Sequence, residues 1–164
     1  MIRTFLKMRG TQRAFEKAVT PGIVETILRD GAERQPFTQA RIEYVLAFVR
    51  GENLSEISER VAAVADIATA TGGLVDNLIG ALVIVAFGTR PASVASQGSR
   101  SLLVDTLRKH LGKNVKIVHG AADGHCGLFG SQKRISYTFL VPNFDAVLGT
   151  LSRIEFGQIE EFRQ

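Results

Sequence analysis

The run Leu82–Phe87 (LVIVAF) is the feature that most constrains the fold, because it contains no polar residue. A short apolar run bounded by turn residues is typical of a central strand that is buried on both faces. Gly80-Ala81 separates it from a second strand candidate, Leu74–Ile79. This spacing predicts a β-hairpin with a tight turn, and a buried hairpin requires a sheet with helices packed against it.

The segments around this hairpin predict alternating strands and helices. Asn53 is a candidate N-cap because Glu56 follows three residues later, and Gly72-Gly73 is a plausible end for the helix that begins there. The other predicted strands are 43–49, 115–119, 135–141 and 157–162, and the other predicted helices are 94–111 and one that starts near Asn143. We therefore expect an α+β domain of the ferredoxin-like βαββαβ type, with the helices packed on one face of a mostly antiparallel sheet.

The first 41 residues differ from the rest and predict a separate helical segment and linker. Residues 1–17 are basic and compatible with a helix. Thr20-Pro21 is typical of an N-cap followed by proline at the first helical position, and Gly31 is a plausible helix end. Residues 32–41 are polar and are interpreted as the linker into a main domain at residues 42–164.

Composition and charge exclude several classes of protein. The chain has 164 residues, of which 45% are hydrophobic and 22% are charged, so it can form a packed globular domain. Its net charge of +4 is too small to indicate a nucleic-acid partner. A single cysteine excludes a disulfide framework. No uncharged stretch approaches the roughly 20 residues of a membrane helix, and no secretory signal is visible. We therefore expect a cytoplasmic protein that meets membranes only through another domain or partner.

Several candidate sites are better explained by structural roles. His119, His125 and Cys126 lie close in sequence, but their spacing fits no zinc motif. The glycine-rich stretch 120–130 lacks the lysine of a phosphate-binding loop, so a hairpin that needs positive φ angles is the favoured interpretation. Lys133-Arg134 is interpreted as a solvated turn rather than a phosphate site.

Three segments together resemble a known enzyme family. They are the turn Arg50-Gly51 after the first strand, the hairpin GGLVDNLIGALVIVAFG at residues 72–88, and GLFGSQKRISYTFLVPNFDAVL at residues 127–148. In this order and spacing they resemble the class III nucleotidyl (adenylate/guanylate) cyclase homology domain, and the resemblance runs from about Thr20 to Ile159. It implies an enzyme that converts a nucleoside triphosphate to a 3′,5′-cyclic monophosphate, with two metal ions at a dimer interface.

The resemblance also assigns the metal-binding positions, and this sequence departs from the family at both of them. The first metal-binding aspartate falls at Phe48, and the second falls at Ala81, next to the retained Gly80. Neither phenylalanine nor alanine can ligate Mg²⁺, which prefers oxygen ligands. We therefore expect no metal site and no cofactor.

The remaining family positions are mostly altered as well. The base-recognising lysine falls at Asn77, beside Asp76, whereas Thr138 occupies the second base-recognising position, where the family tolerates threonine. The catalytic asparagine falls at Asp145, and the transition-state arginine falls at Gly149. The resemblance thus implies a degenerate member with no catalytic residues and with a possible remnant base pocket at Asp76, Asn77 and Thr138.

These observations favour a catalytically inactive cyclase-like domain that acts as a dimerising regulatory module in signalling. We expect a homodimer, and a signalling protein is a further candidate partner. One alternative is a domain that senses a nucleotide or another small molecule in the remnant pocket without metal. A second alternative is a weakly active adenylate or guanylate cyclase. An enzyme of other chemistry has no nucleophile–base or metal-ligand set to support it.

Overall fold

The structure is a computed structural model that describes residues 38–89, 98–131 and 134–163. The predicted N-terminal helices, the Lys133 turn position and the first part of the second helix lie outside the described residues. The elements, in chain order, are β1 (Thr38–Val49), α1 (Leu54–Ala70), β2 (Leu74–Ile79), β3 (Leu82–Phe87), α2 (Ser99–Leu111), a 3₁₀ turn (Gly112–Asn114), β4 (Val115–Ser131), β5 (Arg134–Leu140), α3 (Phe144–Arg153) and β6 (Ile159–Phe162).

The strands form one six-stranded sheet in the order β2-β3-β1-β4-β5, with β6 paired to β4. All neighbouring pairs are antiparallel except β4 with β6, which is parallel. The long strand β4 pairs with two strands along its outer edge. Its first half pairs with β6, and its second half pairs with β5. This architecture confirms the predicted α+β class with a mostly antiparallel sheet.

Helix α1 begins where the sequence predicts it. The Asn53 side chain accepts a hydrogen bond from the Glu56 backbone N–H at 3.0 Å, and the Glu56 carboxylate accepts one from the Glu52 N–H at 3.1 Å. These bonds satisfy backbone donors that a helix start leaves without partners. The helix ends at Ala70, just before Gly72, whose φ of +81° is a conformation that glycine adopts without strain.

One hydrophobic core lies between the sheet and helices α1 and α2. Alternate residues of β1 and β3 face it, and Val64 and Leu107 are among the helix residues that complete it. All of the cluster's main members are at most 8% exposed. Apolar burial on this scale is the main favourable contribution to the stability of such a domain.

A second core lies on the opposite face of the sheet, under α3. Ile42, Tyr44 and Leu46 of β1 point to this face and pack with Val147 and Leu151 of α3. The expectation that all the helices pack on one face is therefore wrong for α3. The reason is that β1 is apolar at successive positions, so both faces of the sheet need cover.

Two strands are longer than predicted. β1 begins at Thr38, so residues 38–41, which we expected in the linker, form part of the sheet. β4 extends through the glycine-rich stretch to Ser131 and pairs antiparallel with β5, so this stretch is one strand of the predicted hairpin rather than its turn. Two of these glycines lie where any side chain would collide with neighbouring atoms. A Cβ on Gly120 would lie 2.6 Å from the Tyr44 hydroxyl, and one on Gly124 would lie 2.3 Å from the Leu140 carbonyl oxygen.

Among the described residues, no helix combines the length and the apolar character needed to cross a membrane.

The glycines give a paired test of this packing. Gly120→Ala should lower the free energy of unfolding by about 1–3 kcal/mol, because the added methyl group collides with Tyr44 and with the Phe162 backbone of β6. Gly149→Ala in α3 should raise it by about 0.5–1 kcal/mol, because the space there is open to 3.8 Å and alanine favours helix. Urea unfolding of both variants measures the difference. Equal effects of the two substitutions would contradict the described position of Tyr44.

Candidate functional site

The structure brings Phe48 and Ala81 together at one end of the sheet. Phe48 of β1 pairs with Leu82 of β3, which directly follows Ala81. The next backbone N–H along β1, that of Val49, donates a hydrogen bond to the Ala81 carbonyl oxygen at 3.0 Å. The two positions that the resemblance assigns to metal carboxylates are therefore spatial neighbours, and here they carry an aromatic ring and a methyl group.

A lysine lies against the Phe48 ring. Lys116 of β4 pairs with Phe48 across the sheet. Its ammonium is 5.6 Å from the centroid of the Phe48 ring and 5.4 Å from that of Phe156, and it donates a hydrogen bond to the Ile154 carbonyl oxygen at 3.2 Å. The two rings are themselves 5.9 Å apart. A cation held near two aromatic rings gains about 0.5–2 kcal/mol from each favourable contact.

Arg50 adds a second positive charge to this group. Its guanidinium carbon is 4.9 Å from the centroid of the Phe156 ring. The ion pairs found within the described residues involve neither Arg50 nor Lys116. We call Phe48, Phe156, Lys116 and Arg50 the cation–aromatic corner. It has the same sign of charge that metal ions would have supplied there.

The cation–aromatic corner does not fit a divalent metal ion. Magnesium and manganese need several oxygen ligands, and this corner offers aromatic rings and cationic side chains. Within the part of the chain that the structure describes, no group of three or more His, Cys, Asp or Glu is arranged to hold a metal. A metal ion at this place would also be repelled by the Lys116 ammonium.

Asp76 and Thr138 meet, although they lie on strands at opposite ends of the sheet order. A shift in the β2–β3 register between Val75 and Asn77 leaves Asp76 as an extra, bulged residue. A bulge redirects a side chain away from the regular alternation. The Asp76 carboxylate thereby reaches the Thr138 hydroxyl and the backbone N–H of Phe139 on β5.

The environment of Asp76 disfavours its charged form. Burial raises the pKa of the Asp76 carboxyl, and the hydrogen bonds from Thr138 and Phe139 offset part of that effect. One carboxylate oxygen, Oδ1, is buried and makes no hydrogen bond within the described residues. Such an oxygen can accept a hydrogen bond from a bound molecule.

The other residue of the predicted remnant pocket, Asn77, lies beside this pair on β2. It pairs with Ile84 of β3, and its side chain is exposed.

Helix α3 carries the positions that the resemblance assigns to the catalytic asparagine and arginine. Asp145 is exposed in the first turn of the helix. Gly149 lies one turn later, and a Cβ built there would be 3.8 Å from Nη1 of Arg153. Nη2 of Arg153 donates a hydrogen bond to the Thr150 hydroxyl at 3.1 Å. The Arg153 guanidinium therefore lies over the glycine rather than projecting from the position of the family's arginine.

The histidine and cysteine candidates do not form a metal site. His125 and Cys126 are neighbours in β4, so their side chains point to opposite faces of the sheet. His125 is exposed, whereas Cys126 is buried in the second core, where its thiol approaches the Thr38 carbonyl oxygen at 3.7 Å. His119 lies six positions from His125 along the extended strand, which is too far for the two side chains to bind the same metal ion.

A polar cluster that the sequence did not indicate lies about halfway along β1, at Glu43. Arg100 of α2 is 3.8 Å from the Glu43 carboxylate and 3.4 Å from that of Glu161 on β6. His119 lies within the same group, and burial, followed by the charge of Arg100, lowers its pKa, while Glu161 and Glu43 act in the opposite direction. These residues are far apart in sequence. Strand pairing brings Glu43, His119 and Glu161 together, and the packing of α2 on the sheet adds Arg100.

Comparisons with solved structures identify the fold. The adenylyl cyclase CyaB from P. aeruginosa superposes with a TM-score of 0.64 at 17% identity, covering 77% of this chain and 78% of that chain. A bacterial light-regulated adenylyl cyclase gives 0.65 at 16% identity, covering 92% of this chain and 51% of that one. The guanylate cyclase domain of RhGC from Catenaria anguillulae, solved in complex with GTP, gives 0.58 at 11% identity, covering 77% and 79%.

The chain has the nucleotidyl cyclase fold. This confirms the resemblance drawn from the three sequence segments at the level of the fold. No family model matches the chain, and no curated protein sequence matches it. The chain spans about half the length of the light-regulated enzyme.

The burial of Asp76 predicts a pH-dependent effect on stability. Because its folded-state pKa is raised, its contribution to stability is fully present below the unfolded-state pKa of an aspartate and is lost as the pH rises through the folded-state value. Asp76→Asn should therefore raise the free energy of unfolding at neutral pH. The difference from the wild type should disappear below the unfolded-state pKa of aspartate, where the wild-type carboxyl group is protonated as well. Urea unfolding from pH 3 to 7 tests this.

Asp145→Asn is the matched control, because Asp145 is exposed. It should change the pH dependence little. A stability difference between Asp76→Asn and wild type that does not vary with pH would contradict the prediction.

Proposed function

We propose that the chain is a catalytically inactive nucleotidyl cyclase-like domain that acts as a dimerising regulatory module in signalling. The observation that carries this proposal is the cation–aromatic corner. It lies at the positions where the resemblance expects the two metal carboxylates, Phe48 and Ala81, and its side chains offer no oxygen ligand to a metal ion.

The altered helix α3 supports the same proposal. Cyclisation places developing negative charge on a phosphoryl group, and a fixed arginine that stabilises such charge accounts for about 10³–10⁵ in rate in related phosphoryl-transfer chemistry. Gly149 lacks this group, and Arg153 is held by Thr150 beside the helix. Loss of the metal ligands and of the arginine together removes most of the transition-state stabilisation that the reaction needs.

The proposed dimer is supported by exposed apolar side chains on the elements that carry the candidate site. Four apolar side chains on β2, β5 and α3 are extensively exposed, namely Leu78 (52%), Ile79 (57%), Leu140 (55%) and Leu148 (39%). These elements also carry Asp76, Thr138 and Gly149. Exposed apolar side chains of this size on neighbouring functional elements are typical of surfaces that meet a partner. The partner proposed here is a second copy of the chain.

Binding of a nucleotide or other small molecule is the second candidate function. It is favoured by one observation, the buried Oδ1 atom of Asp76, which lacks a hydrogen-bond partner within the described residues and lies beside Thr138. Titration calorimetry with a panel of nucleotides tests it. A heat of nucleotide binding that the wild type shows and that both Asp76→Ala and Thr138→Val lack would support this function. The absence of any binding heat with every nucleotide would exclude it.

The proposal predicts that the purified chain makes no cyclic nucleotide. With ATP or GTP and either Mg²⁺ or Mn²⁺, mass spectrometry should detect no 3′,5′-cyclic product above that of a heat-denatured sample. An active adenylyl cyclase assayed in parallel establishes the detection limit. Product that scales with the amount of chain and falls on substitution of Asp76 or Thr138 would overturn the inactive assignment.

The dimer proposal predicts a sedimenting mass of twice the 17.8 kDa chain at micromolar concentration. Ile79→Glu and Leu148→Glu should shift the equilibrium toward monomer, because each places a charge in an apolar contact. Leu102→Glu is the matched control, since Leu102 is 57% exposed on α2, away from these elements. A wild-type monomer, or equal weakening by all three substitutions, would contradict the assignment of the interface.

A further inference from the structure

A cavity of about 330 Å³ lies beside β4, where this strand lacks an outer neighbour. β6 pairs with β4 as far as Gly120, and β5 pairs with it only from His125 onward. Residues 121–124 of β4 therefore have no strand partner on that edge among the described residues. The cavity is lined by residues of α2, β1 and β4 and of the end of β6, namely Arg41, Arg100, Ala121, Glu161, Phe162 and Arg163. Its volume lies at the lower end of the range for small-molecule sites.

The cavity is separate from the candidate site described above. Ala121 lies five positions along β4 from Lys116 and six from Gly127, the partner of Thr138. In an extended strand these separations are roughly 16 and 20 Å. A small molecule in the cavity would therefore contact none of the positions that the resemblance assigns to metal binding, base recognition or catalysis.

Hydrogen-bond donors outnumber acceptors among the side chains that line the cavity. Three of them are arginines, and the single carboxylate is that of Glu161. Arg100 and Arg163 share this carboxylate, at 3.4 and 3.0 Å. Because each guanidinium carries five N–H donors, one carboxylate satisfies only a part of them. The lining therefore favours a ligand that brings oxygen acceptors.

Arg100 is the least exposed of the three arginines, since 16% of its side chain is exposed. Its Nε atom is buried and makes no hydrogen bond within the described residues. The nearest Glu43 carboxylate oxygen is 3.8 Å from Nε, which is beyond hydrogen-bond distance. A buried charged donor without an acceptor is costly, so an acceptor supplied by a bound molecule would stabilise the folded chain.

Two more polar groups without partners lie beside Arg100. The Tyr44 side chain is fully buried, and neither its hydroxyl group nor Nδ1 of His119 makes a hydrogen bond within the described residues. A Cβ on Gly120 would lie 2.6 Å from the Tyr44 hydroxyl and 2.8 Å from the carbonyl oxygen of Phe162, which lines the cavity. Burial raises the pKa of Tyr44 and lowers that of His119, and the charge of Arg100 acts on both groups. The three side chains thus form one group next to the cavity.

We propose that this cavity binds a small carboxylate-bearing molecule, with Arg100 as the main donor to the carboxylate and the Tyr44 hydroxyl as a second donor. The planar, paired N–H groups of a guanidinium match the geometry of a carboxylate. The bound molecule would join α2 to β1 and β6, which are distant in sequence. This inference goes beyond the proposed function and does not depend on whether the chain forms a cyclic nucleotide.

Titration calorimetry of the full chain with acetate, succinate and citrate tests the proposal. The titrations are made at constant ionic strength, and sulfate serves as an anion without a carboxylate. At least one of the three carboxylates should bind saturably and more tightly than sulfate does. The order of their affinities then gives the number of carboxylate groups that the cavity accepts.

Two substitutions locate the binding. Arg100→Met should weaken the tightest carboxylate about tenfold or more, as expected for the loss of a charge-assisted hydrogen bond. Tyr44→Phe should weaken it about threefold or more. This second variant should fold at least as stably as the wild type without ligand, because the hydroxyl group has no partner to lose. It therefore tests the proposal even if circular dichroism shows that Arg100→Met does not fold.

Arg60→Met is the matched control. Arg60 is a partly buried arginine, 25% exposed, that pairs with Glu56 at 3.2 Å on α1 and does not line the cavity. The substitution should leave carboxylate binding unchanged.

Three results would overturn the proposal. The first is the absence of saturable binding of all three carboxylates at millimolar concentration, and the second is sulfate binding as tight as that of the best carboxylate. The third is a carboxylate affinity that Tyr44→Phe leaves unchanged or that Arg60→Met weakens as much as Arg100→Met does. None of these results bears on whether a cyclic nucleotide is formed.

Discussion

The pairing of β1 with both β3 and β4 is the interaction on which the rest of the structure depends. β1 is apolar on both faces, so it must lie in the middle of the sheet with cover on each side. α1 and α2 cover one face and α3 covers the other. The same pairing sets Phe48 beside Ala81 and opposite Lys116. The architecture and the candidate site therefore have a common physical origin.

In the proposed inactive domain, the cation–aromatic corner places two side-chain cations near the positions that the resemblance assigns to metal carboxylates. Carboxylates at positions 48 and 81 would repel one another unless a cation lay between them. With phenylalanine and alanine at those positions, the sheet corner becomes apolar, and Lys116 contacts the rings while it keeps its charge. The positive charge at this corner comes from side chains of the chain itself, which supply no Lewis acid for cyclisation.

Asp76 is a carboxyl group whose burial raises its pKa. The bulge in β2 turns its carboxylate toward Thr138, where desolvation raises the pKa and one oxygen lacks a partner in the described chain. A protein that needed this region for packing alone would be more stable with an asparagine or an apolar residue there. This carboxylate is the group on which the second candidate function, binding of a small molecule, rests.

The sequence by itself determined the hairpin Leu74–Phe87, the capped start of α1 and the fold family, because these follow from local signals such as apolar runs, an N-cap and turn glycines. Tertiary structure decided the rest. The position of α3, the strand conformation of the glycine-rich stretch and the contact of Lys116 with Phe48 depend on register and on space between distant segments. A sequence pattern records which residues prefer burial, but strand pairing decides which of them meet.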